Sequence, residues 1–181
     1  MSHNPGMAPA PPMVGTSGPF EAVASRSGTG TSQMASGSYA ATDAAFYHPV
    51  VVPVTCVVRR MWWANGSTVS ASYNIDVGIY ADAGRKPGRR LVSTGSTAQG
   101  TASVVQFVDV TDTVLPPGLY WLGMACSSSV ATFFRQNTSQ AVNALLIFQQ
   151  SSALPLPSTA TPVEATEYMT YLFGFATTAS P

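Results

Sequence analysis

The chain has 181 residues, eight basic side chains against eight acidic ones, and only 9% charged residues beside 45% hydrophobic ones. That length suits one domain with a real core and is short for two. Neutrality argues against a general nucleic-acid binder, and no apolar run approaches the roughly 20 residues a membrane-spanning helix needs. No charged segment leading into an apolar stretch marks an export signal, so neither a membrane partner nor a specific nucleic acid is expected.

Residues 1–38 hold five prolines, six glycines and one aromatic, Phe20. Such a segment has no apolar periodicity and cannot bury enough surface to offset its ordering entropy. It is expected to be an extended arm that orders on docking, with Phe20 as its candidate anchor and residues 39–181 as the folded domain.

From Tyr39 the texture changes to short runs rich in Val, Phe, Tyr, Trp and Thr, bounded by Gly, Pro, Asn and Ser, which predicts strands and little helix. In "VTCVVRRMWWANGSTVSASYNIDVGIYA" the pair Asn65-Gly66 suits the two positive-φ positions of a type I′ turn, so a long hairpin is expected there. Trp62 and Trp63 are adjacent and should point to opposite faces, one into the core and one outward. An outward indole stacks on a sugar or anchors a subunit interface, and the interface is favoured because such contacts enrich aromatics.

In the following arm Ile75, Val77 and Ile79 alternate with Asn74, Asp76 and Gly78, so one face goes to a core and the other to water or a neighbour. The segment "ADAGRKPGRR" then carries Arg85, Lys86, Arg89 and Arg90 through a glycine/proline turn. It lacks a following helix to present amide groups and lacks a GK[ST] ending, so it is no phosphate cradle. It reads either as a hairpin loop kept soluble by charge or as a contact loop whose local positive field favours an anionic partner.

Further strands are predicted around residues 91–94, 103–110, 119–126, 130–136 and 144–149. A final strand is "EYMTYLFGFA", residues 167–176, with Met169, Tyr171, Phe173 and Phe175 on one face. Before it, "SSALPLPSTATP" has three prolines, cannot be an interior strand, and should cross the outside of a sheet as an extended strap. Eight or nine strands joined by turns predict an all-β fold: an antiparallel two-sheet sandwich, jelly-roll-like, with an extended N-terminal arm.

Groups able to do chemistry are few. His3 lies in the arm and His48 precedes a proline at a strand entrance; no GxSxG, HExxH or GxxxxGK[ST] occurs. Asp76 with Asp82, and Asp109 with Asp112, sit at strand ends where calcium is conceivable, but solvated turn formers are the commoner use of such residues. Cys56 and Cys126 lack metal-ligand spacing and read as buried free thiols rather than a disulfide. No catalytic residue, metal or cofactor is therefore expected.

The segments "YHPVVVPVTCVVRRMWW", "VGIYADAGRKPGRRLVSTG", "VLPPGLYWLGMAC" and "LPLPSTATP" resemble, in order, a β-sandwich domain of structural proteins in tailed bacteriophage virions. The matching motifs fall at residues 78–80, 87–88, Leu91 and 115–122, within a similarity spanning about 46–175. The arm and the density of cations in the loop depart from that pattern. Members of the family serve as head fibres, capsid decoration or cement proteins, and tail-associated proteins. The resemblance implies a non-enzymatic virion subunit, assembled in the host cytoplasm, that forms a homo-oligomer, a trimer by expectation. It would bind the major capsid protein or another virion protein through its arm. The alternative is a glycan-binding module for a host receptor. Candidate partner-binding residues are Arg85, Lys86, Arg89, Arg90, Trp62, Trp63 and Phe20.

Overall fold

A computed structural model describes residues 21–23, 34–136, 147–165 and 170–177. Among these residues there is no helix, and the strands run in chain order β1 (Glu21–Val23), β2 (Met34–Ser38), β3 (Ala45–Val52), β4 (Cys56–Ala64), β5 (Asn74–Asp82), β6 (Pro87–Ser93) and β7 (Thr97–Ala98). They continue with β8 (Val105–Leu115), β9 (Gly118–Cys126), β10 (Thr132–Gln136), β11 (Phe148–Gln150), β12 (Val163–Glu164), β13 (Thr170–Tyr171) and β14 (Phe173–Ala176). The expected all-β, antiparallel sandwich is what the chain forms.

One layer is a seven-stranded sheet in the order β12-β11-β3-β9-β5-β6, with β7 also paired to β5. The opposing layer is built from a four-stranded sheet, β1-β14-β4-β8, and a three-stranded one, β13-β10-β2. These two smaller sheets are stitched together where β13 runs into β14: the Leu172 N–H donates to Phe134 O at 2.9 Å, and Leu172 O accepts from Ala64 N–H at 2.9 Å.

The main core lies between the layers. Period-2 alternation sends Ile75, Val77 and Ile79 of β5 and Leu122 and Met124 of β9 inward, against Met61 and Trp63 of β4 and Phe173 and Phe175 of β14. Each such fully buried side chain contributes about 1.5–3 kcal/mol. At one end Tyr39, Phe46, Phe133 and Tyr171 interlock, with Tyr39 and Tyr171 stacked at 4.9 Å and Tyr39 edge-on to Phe46 at 5.6 Å. Aromatic quadrupoles favour those geometries.

The long hairpin expected around Asn65-Gly66 does not form. Strand β4 pairs with β14 and β8, whereas β5 pairs with β9, β6 and β7, so the segment between them crosses from one layer to the other. Neither Asn65 nor Gly66 has a positive φ. Gly66 is needed for close approach instead: a Cβ there would lie 2.3 Å from Ser36 Oγ and 2.5 Å from Thr132 Oγ1. Asn65 is fully buried and its Nδ2 donates to Gln99 O at 2.8 Å and to Thr101 O at 2.9 Å.

Two stretches of the expected arm lie in strands. Residues 21–23 pair with β14, and residues 34–38 pair along the whole of β10. Phe20, His3 and Met169, and the expected strand residues 144–146, lie outside the described residues.

The proline-rich strap crosses the outer face of the seven-stranded sheet. Leu156 and Ala160 pack there with Tyr47, Tyr80, Trp121 and Phe148 into a second, smaller core. The face of β5 that carries Asp76, Gly78 and Tyr80 is thereby buried too. Gly78 and Gly123 stand opposite each other beneath the strap, and the rings of Tyr47 and Tyr80 meet edge to face at 5.2 Å. A Cβ on Gly123 would sit 3.0 Å from the Tyr47 ring and 3.1 Å from that of Tyr80.

Candidate functional site

The cationic segment is the tip and second strand of the β5–β6 hairpin. Asp82 pairs with Pro87, and the Ala83 N–H donates to Lys86 O at 2.8 Å across Gly84 (φ 70°) and Arg85 (φ 65°). The two successive positive φ values belong to a primed hairpin turn, so this is where such a turn occurs. Asp82 clamps it: Oδ2 accepts the Arg85 N–H at 3.2 Å, and Oδ1 accepts the Trp121 Nε1–H at 2.8 Å. A carboxylate therefore already occupies the turn amide that an anion would seek.

The four cations divide into distinct roles. Arg90 is only 30% exposed, donates from Nη1 to Leu156 O, and lies 4.0 Å from the buried carboxylate of Asp76. Lys86 folds its ammonium 5.8 Å from the centroid of the Phe148 ring. Arg85 and Arg89 are exposed at the hairpin's outer side. Expecting four equivalent contact residues is thus corrected for Arg90, which fastens the strap. Sequence reasoning missed this clasp; the available signal was an aspartate inside a strand whose alternate residues are all apolar.

Asp76 is fully buried. Its Oδ2 accepts Leu156 N–H at 2.9 Å and its Oδ1 accepts Thr94 Oγ1–H at 3.2 Å. Burial pushes its carboxyl above the ordinary range, opposed by the hydrogen bonds from Leu156 and Thr94 and by Arg90. Nearby, Tyr80 donates its hydroxyl to Pro157 O at 2.8 Å, and Tyr47 donates to Gln150 Oε1 at 3.3 Å. Burial pushes the Tyr47 phenol up to about 12 and that of Tyr80 higher still, so both stay neutral donors.

Trp63 faces the main core, and its Nε1 donates to Gln99 O at 3.2 Å. Trp62 points to the opposite face, as alternation predicts, yet it is only 6% exposed. The expected open indole is absent: neither tryptophan offers a ring for a sugar to stack on.

His48 is also inside, 5.5 Å from the Phe173 ring, with burial lowering its pKa to about 4. Among the described residues, burial alone accounts for the shift of this imidazole, with no charged neighbour contributing. Cys56 and Cys126 are free thiols on different sheets; burial pushes the Cys126 thiol up to about 11 and raises Cys56 as well, which suppresses thiolate chemistry.

Asp112 forms an exposed pair with Arg59 at 3.7 Å, and Asp109 lies opposite Arg60 on β4. Among the described residues no three His, Cys, Asp or Glu side chains converge. A cavity of about 220 Å³ lined by Ala40, Ala41, Ala44, Phe46, Gln149 and Gln150 contains no titratable group. It is smaller than the usual small-molecule site of about 300–1,000 Å³.

Val105, Phe107 and Val114 of β8 are open to solvent, as are Val104 just before it, Val51 and Val54 about the β3–β4 connection, and Val130 and Val163 elsewhere. The Arg60 guanidinium covers Phe107 at 4.7 Å from the ring centroid. Fold and surface together define an antiparallel β-sandwich with a strap-sealed face, a clamped basic turn and an apolar edge. Compared with known proteins, the chain matches no family model and no curated protein sequence.

Proposed function

We propose that this chain is a non-enzymatic structural subunit of a tailed-bacteriophage virion, a capsid decoration or head-fibre protein that self-associates and docks on a larger protein lattice. The observation that carries the reading is the division of its side chains. Polar groups able to do chemistry (Asp76, Arg90, Asp82, Tyr80) hold its own strap and turn. Valines and a phenylalanine stand exposed on a body with few charges. Contiguous exposed apolar patches mark surfaces that contact other proteins. The segments that resemble the phage family also fall on the clamped hairpin and on β9, in the middle of the seven-stranded sheet, which suits a rigid building block. Many weak contacts repeated on a symmetric shell make a modest single contact durable.

Antibody raised against the purified chain should label intact virions in electron micrographs, and the position of the label separates head from tail. Virions that stay unlabelled while the chain remains free in the lysate would overturn the reading, as would a specific signal on a glycan array. Deleting residues 2–20, which leaves every described strand in place, should yield a folded body that no longer sediments with particles.

A further inference from the structure

We propose that residues 105–109, the half of β8 in unbroken register with β4, form the seam between two copies of this chain, paired antiparallel about a two-fold axis at Phe107. This rests on the self-association proposed above and names its surface. Strand β8 is the edge of the four-stranded sheet, with β4 on one side and no described strand on the other. An edge presents a row of unpaired N–H and C=O groups, and proteins that stay monomeric blunt such rows with lysine, proline, charge or a bulge.

The chain protects only half of this edge. Between the pairs Val58–Thr113 and Arg60–Asp109, three residues of β8 face the single residue Arg59, a bulge that carries Asp112 and bends the strand. Residues 105–109 keep unbroken register with β4, contain neither lysine, proline nor glycine, carry a single charge, Asp109, at the end next to the bulge, and display Val105 at 46% and Phe107 at 39% exposure. Val104, just before the strand, is 43% exposed.

The occupant follows from charge and chain chemistry. In the register centred on Phe107, Val105 faces the partner's Asp109, Gln106 faces the partner's Val108, and the two Phe107 rings meet, each beneath its own Arg60. The two Asp109 carboxylates then stand four residues apart along the seam, about 13 Å at strand spacing. That exceeds the Debye length of about 8 Å at physiological salt, and a register centred on Asp109 would set like charges face to face. The chain's own N-terminal segment is the poorer occupant, because Pro5, Pro9, Pro11, Pro12 and Pro19 withhold the N–H donors an added strand supplies. A two-fold seam gives dimers, or even-numbered assemblies, in place of the trimer the family resemblance suggests.

Phe107 on the axis makes the test direct. Directly opposed strand residues have Cβ atoms about 4.5–5.5 Å apart, close enough for a disulfide after a small adjustment. Under mild oxidation Phe107→Cys should give a disulfide-linked dimer on a non-reducing gel. Val114→Cys, 62% exposed beyond the bulge, and the parent chain with Cys56 and Cys126 should not. In sedimentation equilibrium the parent chain should dimerise, and Phe107→Lys should weaken dimerisation at least tenfold while its monomer keeps the parent's strand signal in circular dichroism. Assembly that survives Phe107→Lys, or an unlinked Phe107→Cys, overturns the seam; if virions are still labelled, the virion reading stands without it. A chain that is monomeric at every concentration and absent from particles removes both.

Discussion

The carboxylate of Asp76 accepts the main-chain N–H of Leu156 at 2.9 Å, joining residues 80 apart in the chain. Arg90 completes the clasp from the side, donating to the Leu156 carbonyl while its guanidinium approaches Asp76. One buried carboxylate thus fastens both main-chain polar groups of Leu156, directly and through its counter-ion. Antiparallel sheets commonly leave one face to water, and here the strap covers that face with Leu156 and Ala160.

Removing the clasp should release the strap. Asp76→Ala leaves the Leu156 N–H without its buried acceptor and takes the counter-charge from the half-buried Arg90, at an expected cost of about 3 kcal/mol in urea unfolding. Limited proteolysis should then cut within residues 151–162. Asp76→Asn keeps an acceptor oxygen for Leu156 and sheds the charge that burial disfavours, so its loss should be less than about half as large. Equal losses in the two variants would show that the charge, not the acceptor, holds the strap.

Gly78 lies under the same strap, and its absent Cβ matters. An alanine there would place that carbon 2.8 Å from the Val92 carbonyl oxygen and 2.9 Å from Ser93 Cβ, contacts that only a backbone shift can relieve. Gly78→Ala should therefore cost about 1–3 kcal/mol in a denaturant melt. Gly118→Ala, whose new carbon would meet nothing closer than Tyr120 at 3.5 Å, should stay within about 0.5 kcal/mol of the parent. Similar melts for the two would contradict the packing described for β5.

These residues also mark how far the sequence could be read. Alternation at Ile75, Val77 and Ile79 depends only on neighbours two apart, so β5 and its inward face were legible, as were the strap and the antiparallel sandwich. The turn at Asn65-Gly66 was misread because local φ preference is not what selects Gly66. It is selected by contact with Ser36 and Thr132, distant in the chain. The two adjacent tryptophans do point to opposite faces, but neither indole is open, since alternation fixes a side chain's direction and says nothing of what lies over it. Four clustered cations looked alike for the same reason: only the fold brings Asp76 to Arg90 and the Phe148 ring to Lys86.

Arg85 holds a left-handed backbone, φ 65°, where glycine or asparagine would be relaxed. The turn itself therefore does not call for arginine. Arg85→Gly should leave stability within about 0.5 kcal/mol or raise it by up to about 1 kcal/mol, since the strain and the freer unfolded chain oppose each other. The variant should elute from a heparin column at lower salt than the parent, because an exposed cation has gone. A clear loss of stability would make the arginine a structural residue of the turn.

His48 gives the fold a pH dependence whose sign follows from burial. In the unfolded chain its imidazole titrates near 6.5; folded, it is held between the layers beside Phe173 and titrates at about 4. Between those values the unfolded chain binds a proton that the folded one refuses, so this group's contribution is complete above about pH 6.5 and drains away as pH falls toward 4. The loss integrates to about 3 kcal/mol at most. His48→Leu removes the titrating group while filling the apolar site, so the difference in unfolding free energy between variant and parent should shift in the variant's favour by that order from pH 7 to pH 4. A difference that stays flat over this range would mean that the imidazole is protonated inside the fold, with an acceptor on its Nε2.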